Sequence, residues 1–159
     1  MPFTPLHLGV GVCCKTIGQQ RFSFMIFAGT QVLMDIEPLL GLIYSWQYLH
    51  IHTHNLLGAS LIGTIAFLIG KPISQCILKS IKYKDWQVSW QTAAISAYIG
   101  SFSHIFLDAF MHHDVFLFYP WILQNPFLDM ISYSMIFYGC LFSGIFGTLL
   151  WFYVAKIRK

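Results

Sequence analysis

Apolar residues run through this chain in long blocks, and the polar residues gather between them. The cleanest block is Met130 to Ala155, which carries no charge. A second is Leu56 to Gly70, whose pattern continues through Lys71 and Pro72 toward Leu78. The third runs from Trp90 to about Met111 and contains His104 and Asp108. Phe22 to about Trp46 forms a fourth, interrupted by Asp35, Glu37 and Pro38. About 20 apolar residues suffice for a helix to cross a bilayer. The pattern therefore predicts an all-α integral membrane bundle of about four transmembrane helices. Pro38 lacks a backbone donor and is expected to end or kink its helix just after the acids. No internal repeat divides the chain, and residues 1–159 read as one membrane-embedded domain.

Charge sharpens this picture. Lysine and arginine occur in only three places: Lys15 and Arg21, Lys71 through Lys84, and Lys156 to Lys159. Six of the seven histidines, and every acid except Asp85, fall in the stretches Asp35 to His54 and His104 to Asp129. The positive-inside rule sends the basic stretches and both termini to the cytoplasm, and turns the histidine-rich stretches toward the outer face of the inner membrane. Asp35 lies 14 residues beyond Arg21, roughly 21 Å at helical rise, and His104 lies as far beyond Trp90, so both reach one level. His7 has three placements. A short N-terminal re-entrant helix can carry it into the bundle, provided protein surrounds that helix. It can also lie on the cytoplasmic face. In the third, the N-terminus is outside and the chain makes five passes, the first two short.

Composition excludes the soluble alternative. The chain is 57% hydrophobic and 9% charged, where a soluble domain averages about 25% charged. The net charge of +3 sits at the span boundaries, which fits topology signals and not a nucleic-acid surface. Cys13, Cys14, Cys76 and Cys140 form no CxxC pair and read as small buried hydrophobes. No basic n-region precedes the first apolar stretch, so no cleavable signal peptide is expected. Gly139, Ser143 and Gly147 follow a small-xxx-small spacing that lets another helix approach, either within the monomer or in a homodimer.

Three elements carry candidate chemistry. His104, Asp108 and His112 are spaced i, i+4, i+8 and share one helical stripe. Such a nitrogen/oxygen set ligates Zn²⁺, Mn²⁺, Fe or Ni, although a buried His–Asp hydrogen bond between helices has the same spacing. Asp35 and Glu37 can both point inward if the helix opens before Pro38. In an extended segment His50, His52 and His54 would alternate onto one side, with His54 the best defined because a helix follows it. Asp129 is expected to cap or orient the last helix, and Asn125–Pro126 to form the turn before it. Together these residues propose metal-assisted hydrolysis, with Glu37 or Asp114 accepting the proton of water. The candidate ligands exceed the needs of one tetrahedral ion, so two metals are a second reading. A divalent-cation or proton carrier using the same groups as a relay, and a membrane scaffold with a structural metal, are the alternatives.

The residues also carry a resemblance. Thr4-Pro5-Leu6-His7-Leu8-Gly9, Met34-Asp35-Ile36-Glu37-Pro38, Thr53-His54-Asn55 and Ser103-His104 with Asp108 resemble the YdjM-type family of membrane-bound metal-dependent hydrolases. His112-His113-Asp114-Val115 through Tyr119-Pro120 to Asn125-Pro126-Phe127-Leu128 resembles a branch whose chains also open Met-Pro-Phe-Thr-Pro. The resemblance implies an inner-membrane helical protein with His7, Asp35, His54, His104 and Asp108 as metal ligands and Glu37 as ligand or base. His52 and His112 would be supporting ligands. The His-x-x-x-Asp element is similar to that of zinc-dependent phospholipase C and related nucleases, which implies a phosphoester or lipid head group as substrate. The chain departs from the family pattern in having Asp35-Ile36-Glu37 where the family has Asp-x-Asp. It also lacks the His-Arg-Gly run that precedes the Thr-His pair.

Overall fold

The computed structural model describes residues 4–84 and 87–157. The first three residues of the Met-Pro-Phe-Thr-Pro opening, Asp85, and the Arg158–Lys159 end of the basic tail lie outside the described residues. All regular structure among the described residues is helical: α1 (Thr4–Gly18), a 3-10 turn (Gln19–Arg21), α2 (Phe24–Met34), α3 (Ile36–Ile43), α4 (Leu56–Ser80), α5 (Trp90–Ala109) and α6 (Tyr133–Ile157).

Three stretches are long and apolar enough to cross a membrane: Phe24–Ile43, which joins α2 to α3, then α4 and α6. Helix α5 is not among them. It is instead the enclosed centre, packed on α1, α2 and α4. Its buried face mixes Ala93 and Ala97 with Thr92, Ser96, Ser101, His104 and Asp108. The small residues let neighbouring backbones close in, and the hydroxyls find partners there. Ser96 Oγ accepts the Ser23 N–H and donates to the Thr92 carbonyl, each at 2.7 Å. Below the histidines the core is Ile26, Ala66, Val88, Ala93 and Ala97.

Helix α6 docks on α1, and the two run parallel. Gly9 abuts Cys140 and Gly144, whereas Gly147 abuts Val12 and Cys13. A Cβ on Gly147 would come within 2.7 Å of the Cys13 nitrogen, so only glycine permits this approach. Thr16 Oγ1 donates to the Gly147 carbonyl at 2.8 Å, and Ser143 Oγ to the Gly9 carbonyl at 3.3 Å. Ser143 and Gly147 are thus taken up within the monomer, while Gly139 faces open space. Helix α1 begins beside the histidines and ends at the basic end, where Lys15 Nζ donates to the Gln19 and Phe22 carbonyls.

Local details depart from the sequence reading. The helix breaks at Asp35, between the two acids, and resumes through Pro38. A proline inside a helix costs a hydrogen bond and crowds the preceding turn, whereas in a first turn its missing donor is not needed. Helix α6 is capped by Ser132 Oγ, which accepts the Met135 N–H at 3.4 Å, and not by Asp129. Asp129 instead takes a left-handed turn (φ 59°) and donates its backbone N–H to the Phe110 carbonyl. All four cysteines are free thiols, with Cys140 buried and Cys76 exposed.

Candidate metal centre

Four polar arms meet at the end of the bundle remote from Lys15. The break at Asp35 aims one carboxylate inward. Helix α5 presents His104 and Asp108 one turn apart, and His54 arrives just ahead of α4. One ligand atom from each of Asp35, His54, His104 and Asp108 lies within 4.8 Å of all the others. His104 Nε2 is 3.1 Å from Asp108 Oδ2 and 3.4 Å from Asp35 Oδ1. His54 Nε2 is 3.3 Å from the same Asp108 oxygen. Donors held at about 2.0–2.2 Å by one tetrahedral ion lie roughly 3.3 Å apart.

The opposite ring nitrogens fix what faces inward. Gln31 Nε2 donates to the Gly100 carbonyl, so its Oε1 accepts from His104 Nδ1 at 2.5 Å. Thr53 Oγ1 donates to Glu37 Oε2 at 2.6 Å and so accepts from His54 Nδ1 at 2.9 Å. Both rings thus donate through Nδ1 and turn Nε2 toward two carboxylates. His54 Nε2, His104 Nε2 and Asp35 Oδ2 are buried without a hydrogen-bond partner. Buried polar atoms in native proteins are nearly always satisfied. Two carboxylates and two imidazole nitrogens converging in a buried site form a set that could take a cation, which binds the imidazoles in their neutral form.

Gln31 is a positioning residue that the sequence reading passed over. The visible signal was an amide one turn before Asp35 in an otherwise apolar helix. Gln31→Leu leaves His104 Nδ1 unpaired, and metal affinity is expected to fall roughly 10–100-fold. Competition against a chromophoric chelator measures it, and unchanged affinity would remove Gln31 from the site.

The remaining candidates divide. His7 is buried, with Nε2 3.7 Å from Asp108 Oδ1 and its ring edge-on to His104. His112 and His50 join Asp108 in a second set of converging ligand atoms. Burial pulls the His112 imidazole down to about 4, so it is neutral at neutral pH. His52 and His113 are exposed and join neither set. The extended segment expected over residues 50–54 is instead curled, because Asn55 Nδ2 donates to the carbonyls of Ile51 and His52. The curl places His50 and His54 rings 4.7 Å apart and leaves His52 outside.

Glu37 and Asp114, the expected bases, are both occupied. Glu37 accepts the backbone N–H groups of His52 (2.8 Å) and Thr53 (2.5 Å) besides the Thr53 hydroxyl. Asp114 accepts the Leu49 N–H at 2.7 Å and His50 Nδ1 at 2.9 Å. Burial alone would raise the Asp114 carboxyl, but these hydrogen bonds outweigh it and hold the group well below its ordinary value. Both acids are anchors that shape the ligand loop.

Compared with protein-family models, curated proteins and solved structures, the chain matches none.

Proposed function

We propose that the protein is a membrane-embedded metal-dependent hydrolase acting on a phosphoester or lipid head group. The observation that carries the reading is the convergence of Asp35, His54, His104 and Asp108, with buried ring nitrogens and a carboxylate oxygen left without hydrogen-bond partners. Zinc suits this nitrogen/oxygen set best, with Mn, Fe and Ni as alternatives. A divalent ion held in this cluster with a coordination position left open would lower the pKa of bound water to near 7 and polarise a phosphoryl oxygen. Asp35, with a side chain 14% exposed, is the most accessible of the four proposed ligands. His112, 4.0 Å from Asp108 Oδ1, is 20% exposed, and in this reading substrate approaches from the side of these two partly exposed residues. The ordered likeness to the YdjM-type family supports the same assignment.

In this reading the chain makes four full crossings, through Phe24–Ile43, α4, α5 and α6, in the inner membrane. Its basic ends are cytoplasmic and its metal centre lies toward the outer face. Helix α1 is a short fifth segment descending from the level of the site, which favours the placement of its N-terminal end on the outer side. A carrier is disfavoured because the packed core below the site, Ile26, Ala66, Val88, Ala93 and Ala97, offers no carboxylate or imidazole as a relay.

The test is metal analysis of detergent-purified protein beside turnover of a generic phosphodiester and a phospholipid. Turnover is expected to vanish on chelation and return with zinc. Metal-dependent flux into liposomes without turnover would replace the hydrolase with the carrier.

A further inference from the structure

The Asp108 carboxylate has two sides, and both face histidines. Its Oδ2 lies 3.3 Å from His54 Nε2 and 3.1 Å from His104 Nε2. Its Oδ1 points the other way, 3.7 Å from His7 Nε2 and 4.0 Å from His112 Nε2. On that second side one ligand atom each of His50, Asp108 and His112 falls within 4.8 Å of the others. We infer that the site is built for two divalent cations sharing Asp108, the second held by His50 and His112. This rests on the metal reading above and extends it.

Four observations support the second position. The first concerns ligand number. Asp35, His54, His104 and Asp108 already supply four protein donors, which closes a tetrahedral ion in the manner of structural sites. The second set supplies three and leaves a coordination position that no protein group fills, the pattern of catalytic sites. Exposure agrees, since His54 is 0% exposed and His112 is 20% exposed. The closed position is the deep one and the open position faces out.

The second observation is outer support. Asp114 accepts from His50 Nδ1, fixing the tautomer that leaves Nε2 to ligate, as carboxylate–histidine–metal arrangements do. Asn125 Nδ2 donates to the carbonyls of Ala109 (2.6 Å) and His112 (3.0 Å), which pins the turn carrying His112. Stacking of the His50 and His112 rings, with centroids 4.4 Å apart, holds the pair in register.

The third is His7. It is 2% exposed, and neither ring nitrogen has a hydrogen-bond partner. Its Nε2 lies on the Oδ1 side of Asp108 but outside the three converging ligand atoms, so it lines the second position without filling it. The fourth is charge. Asp35 and Asp108 line the pocket, and Glu37 and Asp114 back its histidine loop. Four carboxylates gathered about the histidines supply the negative charge that two dications would need.

Metal counting on purified protein reloaded with zinc tests this. Wild type is expected to hold about two ions per chain, and His112→Gln and His50→Gln about one. Asp108→Asn should hold none. One ion in wild type, unchanged by His112→Gln, would overturn the second site and leave the first standing. No ion in wild type would end both readings. Should the variants fail to fold, wild type loaded with Mn²⁺ still decides. Exchange-coupled paramagnetic resonance supports the pair, and the spectrum of isolated Mn²⁺ at saturation refutes it.

Discussion

Asp108→Asn is expected to purify without metal and to lose hydrolysis with it, the largest single effect in the chain. Asp108 is 4% exposed and touches His7, His54, His104 and His112. An amide of the same shape keeps the packing but offers one weak acceptor and places an NH₂ group among ring nitrogens and a neighbouring carboxylate. Removing an outer partner of a ligand costs roughly 10–100-fold in affinity, and loss of a ligand common to every histidine here should exceed that. Stability gives an independent readout. A ligand at about 100 times its Kd adds about 2.7 kcal/mol to the native state. Wild type should therefore melt higher when zinc is added, and Asp108→Asn should not. Asp129→Asn, an exposed acid outside the cluster, serves as the control. Full metal content in Asp108→Asn would sink the site.

Glu37→Gln is expected to act differently, by loosening the loop that presents His54. The carboxylate takes three hydrogen bonds, from the backbone of His52 and Thr53 and from the Thr53 hydroxyl. Hydrogen bonds to charged groups contribute about 1.5–3 kcal/mol each. Glutamine keeps one oxygen and turns its NH₂ toward backbone donors, so a net loss of about 3 kcal/mol is expected. The Thr53 hydroxyl, freed from Glu37, no longer fixes His54 Nδ1. Denaturation in detergent reads the stability change, and zinc titration should restore turnover in the folded fraction. If Glu37→Gln instead folds as wild type and stays inactive at saturating zinc, Glu37 is the general base and its anchoring role is wrong.

The sequence made the long helices legible, three stretches of them apolar enough to cross a membrane, because charge is costly in lipid and so marks their borders. The His104–Asp108–His112 stripe was legible too. Helix α5 ends at Ala109, but the His112 N–H still reaches the Asp108 carbonyl at 2.9 Å, so helical spacing persists for one more turn. Depth arithmetic brought Asp35 to the level of His104, and the two do meet. What stayed hidden depended on backbone detail. Choosing His50 over His52 needed the curl made by Asn55, and alternation presumes an extended chain. Separating Asp35 from Glu37 needed the break to fall between them, where pattern alone placed it after both. Gln31 gave only a weak signal, because an amide in an apolar helix announces a partner without saying which.

The proposed ligands Asp35, His54, His104 and Asp108 come from segments scattered over much of the polypeptide. No nascent fragment that stops short of Asp108 owns a complete cage. If the cluster takes an ion as proposed, loading would be a maturation step that follows placement of α5, not an event during early synthesis. Once lodged, the ion would rivet α5 to the kink at Asp35 and the loop ahead of α4. A cell starved of that ion would accumulate chains that are threaded through the bilayer but not yet fastened together.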